Sequence, residues 1–118
     1  MSKSANPGEL TTPVYFFRYA RVLDDEGDYT DTPVNVFGEG KYMPCKWVNA
    51  HGSEVFEAMQ LQLREPATIT CRYSAMIDRT LDVYRGTDPN PYEIISVDNV
   101  QNQGRWLEIK VQRKEAAR

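Results

Sequence analysis

The sequence predicts an all-β protein: a small antiparallel β-barrel, SH3-like or OB-like, with long loops. The clearest observation is in residues 105–113, where Leu107, Ile109 and Val111 alternate with polar side chains. That period of two places one face of a strand in a core and the other in water. Three more short runs of strand composition precede it, and clusters of Gly, Pro, Asn, Asp and Ser separate all four. Because these breaks are short, we expect an antiparallel meander built from hairpins.

The four predicted strands of the meander are Ala67–Tyr73, Thr80–Arg85, Tyr92–Asp98 and Arg105–Arg113. Two further strands are predicted upstream, at Val14–Leu23 and Lys41–Asn49. The first of these has apolar side chains on both faces, with Tyr15, Phe17 and Tyr19 on one and Val14 and Phe16 on the other. We expect one face to meet the core and the other to meet a neighbouring surface.

The chain has 118 residues, which is the size of a single domain. We predict a barrel domain at residues 14–113, with loop excursions at residues 24–40 and 50–66. Within the first excursion, residues 29–40 show no sustained period and are predicted to be a loop or a frayed strand around residues 34–37. Residues 1–13 are small and polar and are predicted to form a flexible arm. Residues 114–118 are predicted to be a C-terminal tail.

Residues 50–66 fit two different structures. Four apolar residues share one helical face: Val55, Phe56, Met59 and Leu63. Residues 59–64 also alternate as a strand does, and we favour a short helical turn that passes into an extended segment. The apolar side chains either form a contact surface or fold back over one end of the barrel, and the sequence leaves both alternatives open.

Charge and hydropathy exclude several classes of protein. The formal net charge is −3, and the 14 basic residues are scattered along the chain. A dedicated phosphate-backbone binder needs clustered Lys and Arg, because its affinity comes from released counterions. No apolar run approaches the ~20 residues that cross a bilayer, and the first ten residues lack the apolar segment of a secretory signal. We therefore expect synthesis in the cytoplasm, no membrane partner and no tight nucleic-acid binding by a single chain.

Few residues have chemistry that suggests a reactive site. Cys45 and Cys71 fall in predicted strands without a CxxC spacing, so we expect two reduced core thiols. The single histidine, His51, has no nucleophile or carboxylate at a recognisable spacing and is interpreted as a surface loop residue. The acidic run at residues 24–28 does not match an EF-hand, and Gly38–Lys41 does not match a phosphate-binding loop. We predict no catalytic, metal-binding or cofactor-binding residues and expect a protein that is not an enzyme.

A series of different short motifs covers nearly the whole chain. In order they are Pro7–Leu10, the acidic turn at Gly27, Lys46–Val48, Gly52–Glu54, Phe56–Ala58, Thr68–Tyr73, Met76–Asp78, Arg85–Gly86, Tyr92–Val97 and Arg105–Ile109. Each fragment is common by itself, and their order and spacing are what is specific. In that order and spacing the chain resembles the phage head-tail joining proteins, the head-closure or stopper family of long-tailed bacteriophages. Residues 87–91 are longer than the family's usual loop at that point.

The resemblance implies a β-barrel subunit that forms a homo-oligomeric ring, a dodecamer, below the portal and adaptor proteins of a filled capsid. There it would close the DNA exit channel and offer an attachment surface to the tail or the tail-terminator protein. Genomic DNA would pass through without specific binding. The implied location is the neck of the virion.

Candidate interaction residues come from the two loop excursions and from one aromatic residue of the last strand. They are Tyr29, Val34, Phe37, His51, Val55, Phe56, Met59, Leu61 and Trp106. Trp106 is included because it lies on the otherwise polar face of its strand, where an exposed aromatic marks an interface. Two other functions stay open: a tail-completion protein of the same neck region, or a small barrel that binds single-stranded nucleic acid.

Overall fold

The structure, a computed structural model, describes residues 7–115, without the side chains of Pro7, Glu54, Phe56 and Ala58. Strands dominate this part of the chain. The strands and the helix are β1 (Thr12–Leu23), β2 (Tyr29–Asn35), β3 (Met43–Asn49), α1 (Ser53–Gln60), β4 (Ala67–Arg72), β5 (Asp82–Arg85), β6 (Tyr92–Asn99) and β7 (Trp106–Arg113). Short 3-10 turns lie at Pro7–Glu9 and Val100–Asn102.

Six strands close into a barrel. Their order is β1, β3, β4, β7, β6 and β5, and β5 pairs again with β1 through the register Val14↔Arg85 to Phe17↔Asp82. All of these pairings are antiparallel. The prediction of a small antiparallel all-β barrel is therefore confirmed.

Alternate residues of the strands fill the barrel interior. The largest fully buried side chains are Phe16 of β1, Ile69 of β4 and Ile109 of β7. Leu107 and Val111 are buried on either side of Ile109, so the alternation predicted for the last strand is confirmed. The core thus lies between β1 and the β4–β7 pair.

Cys45 and Cys71 lie in this core on the neighbouring strands β3 and β4, and both are free thiols. The prediction that both cysteines lie in the core is confirmed. The Cys45 thiol donates to the carbonyl oxygen of Met43 at 3.3 Å. Contact with the Cys71 thiol, together with burial, raises the pKa of Cys45 far above its usual range. The protonated thiol packs as a small apolar side chain.

The predicted four-stranded meander is wrong in one connection. Strands β5, β6 and β7 do form a meander, but β4 pairs with β3 and β7 instead of β5. Residues 73–81 are not a hairpin turn, because Ile77 and Leu81 within them are buried in the core. The chain therefore leaves β4, adds these side chains to the core and rejoins the sheet between β6 and β1.

The N-terminal boundary of the barrel also differs from the prediction. β1 begins at Thr12, because Thr12–Val14 pair with residues 43–45 of β3. The last residues of the predicted flexible arm are thus part of the barrel. The 3-10 turn before them is connected to β3 by an ion pair between Glu9 and Lys46 at 3.0 Å. Residues 1–6 of the predicted arm lie outside the described residues.

The loop excursion predicted at residues 24–40 contains strand β2. This strand pairs with β1 from Phe17↔Asn35 to Leu23↔Tyr29. Gly27 has a φ of +85° in the turn between the two strands, and glycine adopts such a backbone conformation without steric cost. Gly38–Lys41 form an ordinary turn, as predicted, in which the Lys41 N–H donates to the Gly38 carbonyl oxygen at 3.0 Å.

Residues 50–66 form a helix followed by turns. Helix α1 confirms the helical part of the prediction, whereas the extended segment predicted after it is wrong. Gln62 and Glu65 have positive φ angles of 58° and 42°, which interrupts the alternation of an extended chain. A backbone hydrogen bond from the Arg113 N–H to the Arg64 carbonyl oxygen, 2.7 Å long, holds these turns against the end of β7.

We predict that Ile109→Ala lowers the free energy of unfolding by about 2–5 kcal/mol, because the truncation leaves a cavity in the core. Chemical denaturation measures the loss. Lys110→Ala, at the exposed neighbouring position, is the matched control and should change stability by less than about 0.5 kcal/mol. A loss for Ile109→Ala no larger than that of the control would contradict the placement of Ile109 in the core.

Candidate assembly surfaces

The β1–β2 hairpin extends beyond the barrel wall. Phe17 is the last residue of β1 that pairs with a barrel strand, and residues 18–23 pair only with β2. Six strand residues span roughly 20 Å. The molecule measures 55 × 32 × 26 Å and is elongated accordingly. The hairpin is therefore a projection whose two faces are both available to solvent or to a partner.

Large apolar side chains near the hairpin tip are exposed. The exposed fractions are 47% for Val22, 56% for Leu23 and 67% for Tyr29. Tyr29, a predicted interaction residue, pairs with Leu23 at the tip end. Val34, also predicted, is half-buried near the hairpin base opposite Arg18.

A buried carboxylate fixes the base of the hairpin. Asp82 of β5 is only 5% exposed. The Lys114 ammonium lies 3.0 and 2.9 Å from its two oxygens, and the Tyr19 hydroxyl donates to Oδ2 at 3.0 Å. Burial and this hydrogen bond raise the pKa of Tyr19, so the phenol stays neutral and remains a donor. The cluster joins β1, β5 and the C-terminal end of β7 where the hairpin leaves the barrel.

Sequence reasoning missed this cluster. The signal that could have found it is a charged residue inside an apolar run, Leu81-Asp82-Val83. A charge on a buried strand position needs a partner of opposite charge, because an unpaired buried carboxylate is costly. The sequence alone does not show that Lys114 supplies the partner.

Helix α1 and the turn after it present apolar side chains to solvent. The predicted interaction residues Val55, Met59 and Leu61 are 40%, 72% and 70% exposed. This exposure favours a contact surface over a cover for the barrel end. The side chain of Phe56, another predicted residue, lies outside the described residues. His51 precedes the helix and is exposed, with its ring Nδ1 3.4 Å from the carbonyl oxygen of Asn49.

Arg113 at the end of β7 connects the turns after the helix to the β5–β6 turn. Its guanidinium donates to Asp88 Oδ2 at 3.0 Å, to the Asn90 carbonyl oxygen at 2.8 Å and to Glu65 Oε2 at 3.2 Å. The same group lies 4.2 Å from the ring centroid of Tyr92. A planar guanidinium suits this combination of several acceptors and an aromatic face. The contact with Glu65, followed by that with Asp88, raises the pKa of Arg113 further above its already high value.

A cavity of about 450 Å³ opens between helix α1 and this arginine cluster. Its lining includes Val55, Met59 and Tyr92 together with Arg85 and Arg113. Tyr92 also packs on Trp47, with the ring centroids 4.8 Å apart, and Arg85 lies 4.9 Å from the Trp47 ring. The cavity therefore has an apolar side, formed by the helix, and an opposite side with aromatic rings and the paired charges of Arg113, Asp88 and Glu65.

The outer face of β1 carries the second set of apolar side chains that the sequence pattern indicated. Phe17 packs edge-on against Tyr84 of β5 with centroids 5.3 Å apart, and Tyr15 lies 5.8 Å from Tyr42. A shallow cavity of about 330 Å³ lies along this face, with Pro33 among its lining residues. Part of the apolar surface predicted to meet a neighbour is thus covered by other aromatic residues of the same chain.

Trp106 and Phe37 have partners within the chain. Trp106 is half-buried, and the guanidinium of Arg72, its cross-strand partner, lies 5.4 Å from the ring centroid. Phe37 is partly buried and packs edge-on against Phe16 of the core, with centroids 6.0 Å apart. Of these two predicted residues, Trp106 lies on the outer face of the barrel, whereas Phe37 packs against the core.

Two features are absent from residues 7–115. No group of three or more His, Cys, Asp or Glu side chains in that range is arranged to hold a metal ion. No helix among the same residues is both long enough and apolar enough to cross a membrane.

The whole described barrel falls within one family match. The model of a family described as phage head completion protein matches residues 5–115. No curated protein matches the chain.

Two solved structures have a similar fold. The solution structure of protein SF1141 from Shigella flexneri 2a has a TM-score of 0.66 and 19% identity, covering 96% of this chain and 100% of that chain. A chain in the virion of a native gene transfer agent particle has a TM-score of 0.54 and 15% identity, covering 88% of this chain and 94% of that chain. At these identities the likeness concerns the fold.

We predict that Asp88→Asn destabilises the protein at neutral pH and that the difference from the unsubstituted protein disappears in acid. The hydrogen bond from the Asn90 N–H, followed by the contact with Arg113, lowers the pKa of Asp88. A carboxylate with a lowered folded-state pKa stabilises the fold above its ordinary value of about 4 and loses that contribution as pH falls through the folded-state pKa.

The measurement is the unfolding free energy of both proteins between about pH 7 and pH 2. Because Asp88 and Arg113 are partly exposed, the loss at pH 7 should be about 1 kcal/mol or less. Glu39→Gln is the matched control, since Glu39 is exposed and forms no ion pair among the described residues. A pH-independent loss for Asp88→Asn would contradict the electrostatic role of Asp88.

Proposed function

Because this chain belongs to the phage head completion protein family, we propose that it is a structural subunit of the neck of a long-tailed phage particle. In this proposal several copies form a ring below the portal and adaptor proteins. The ring closes the DNA exit channel after packaging and provides the surface to which the tail attaches. The observation that carries the proposal is the family match over residues 5–115, which spans all seven described strands.

The division between a closed barrel and projecting segments supports an assembly role. The β1–β2 hairpin and helix α1 expose large apolar side chains, including Tyr29 and Met59. Contiguous apolar patches on a protein surface mark sites of contact with other proteins. The polar clusters around Asp82 and Arg113 hold these segments in fixed positions on the barrel, which a contact surface requires.

The charge of the chain supports a position beside passing DNA. The formal net charge is −3. A channel wall of like charge suppresses counterion-release binding, so the genome can move through without adhering. A chain of similar fold occurs in the virion of a gene transfer agent particle, and that setting also supports a place in a particle.

The experiment is deletion of this chain from the genome of its phage. We expect heads that fill with DNA, lack tails and lose DNA on storage, because the exit channel stays open. Electron microscopy counts tailed and tailless particles, and nuclease sensitivity of the packaged DNA measures leakage. Expression of the unsubstituted chain in the host cell is the control and should restore infectivity. Normal tailed and infectious particles without this chain would contradict the proposal.

A mixing experiment separates head completion from tail completion. Tailless heads from the deletion are incubated with the purified chain, freed of excess protein and then mixed with tails. In a parallel reaction, tails are treated with the chain in the same way and mixed with untreated heads. If the chain completes heads, the mixture with treated heads yields infectious particles and the mixture with treated tails does not. The reverse result would place the chain on the tail.

A further inference from the structure

The tip of the β1–β2 hairpin carries unpaired negative charge between exposed apolar residues. The turn contains four acidic residues: Asp24, Asp25, Glu26 and Asp28. Asp24 Oδ1 accepts the backbone N–H groups of Glu26 and Asp28 at 3.0 and 2.8 Å, which shapes the turn. None of the four forms an ion pair with a described residue. Lower in the hairpin, Arg21 and Asp31 lie 3.8 Å apart, so the excess charge is confined to the tip.

A surface of opposite charge and similar apolar character lies at the junction of β4 and β7. We define it as the arginine patch, formed by Arg72, Tyr73, Arg105 and Trp106. Arg72 is the cross-strand partner of Trp106, and the Tyr73 N–H donates to the Arg105 carbonyl oxygen at 2.9 Å. Both arginines are exposed, and Tyr73 is 43% exposed. Neither arginine forms an ion pair within residues 7–115.

The tip and the arginine patch do not meet within one chain. In the sheet, β1 and β3 lie between β2 and β4, and β2 forms its ladder with β1 alone. No ion pair or described hydrogen bond joins the two surfaces. Each surface therefore has its charge and its apolar area available for a different molecule.

We infer that the hairpin tip of one copy of this chain docks on the arginine patch of the next copy. Charge complementarity selects the occupant, because acidic side chains flanked by Leu23 and Tyr29 face arginines flanked by Tyr73 and Trp106. Two different complementary surfaces on one chain produce a head-to-tail contact, and a repeated head-to-tail contact closes into a ring when its rotation closes. The inference rests on the proposed function and assigns the surfaces by which neighbouring neck subunits meet.

The first test is cross-linking in assembled particles. The chain with Glu26→Cys and Arg105→Cys together is incorporated into particles and treated with a short bis-maleimide. The native Cys45 and Cys71 are fully buried and do not react in the folded chain. A denaturing gel should show a ladder of dimers, trimers and larger species, because each copy is linked to two neighbours. Chains with either substitution alone are the controls and should give no ladder.

The second test reverses the charges. Asp25→Lys with Glu26→Lys, or Arg72→Glu with Arg105→Glu, should each lower the yield of infectious particles by about tenfold or more, because like charges then face each other. All four substitutions in one chain should restore most of the yield. Asp24 is left unchanged because it shapes the turn. Lys41→Glu and Glu39→Lys, two exposed loop positions, are the matched controls and should leave the yield unchanged.

Circular dichroism and thermal unfolding of each purified variant show whether it is folded. The cross-linking result does not depend on charge reversal.

Particles that contain the chain but give only monomers, or only dimers, would overturn the inference while leaving the proposed function intact. If Arg72→Glu, added to the chain with Glu26→Cys and Arg105→Cys, leaves the ladder intact and abolishes binding of a single-stranded oligonucleotide, the inference is also overturned, in favour of a nucleic-acid contact. Absence of the chain from particles would instead remove the proposed function.

Discussion

Strand β1 forms hydrogen-bonded ladders with three other strands, and the rest of the architecture depends on this shared use. Its first residues pair with β3, its middle residues pair with β5 and its last residues pair with β2. The first two ladders close the barrel, and the third begins at Phe17, where the β1–β5 ladder ends. A single strand of 12 residues therefore produces both the closed core and the segment that projects from it.

The polar clusters compensate for the short β5–β6 ladder of this barrel. That ladder has only the pairs Asp82↔Glu93 and Val83↔Tyr92. The Asp82 cluster and the Arg113 cluster both connect the β5–β6 region to the end of β7. Side-chain contacts thus fix the strands at the places where few backbone bonds do so. The same contacts fix the hairpin and the turns after helix α1, and this is how fold stability and surface geometry are coupled.

Period-two alternation predicted the strand faces well and the strand partners poorly. The burial of Leu107, Ile109 and Val111 followed directly from the sequence, because alternation indicates which face of a strand is buried. It does not report the neighbour, so β4 and β5 were wrongly paired across residues 73–81. Strand β2 falls in a stretch that the sequence predicts only as a loop or a frayed strand around residues 34–37. Most residues of β2 are exposed on both faces, and such a strand has no alternation to detect.

The candidate surfaces could likewise be predicted from the sequence only in part. The apolar outer face of β1 could be predicted, since both sides of that strand are apolar, whereas the Asp82 and Arg113 clusters could not, because their members are distant in sequence. Residues 53–64 satisfied a helical and an extended pattern at once, and the positive φ angles that end the helix are not visible in hydropathy. Which exposed residues meet a partner depends on the partner's surface, and one chain's periodicity carries no information about that.

In the proposed function, the barrel is a scaffold that holds the hairpin and helix surfaces for assembly in a phage neck. Electron cryomicroscopy of intact particles, with a map of the region between capsid and tail that resolves side chains, tests it most directly. We expect a ring of density below the portal into which the six-stranded barrel fits, with the β1–β2 hairpin in contact with an adjacent subunit. A neck fully explained by other proteins, or a barrel whose hairpin projects into solvent without contacts, would contradict it.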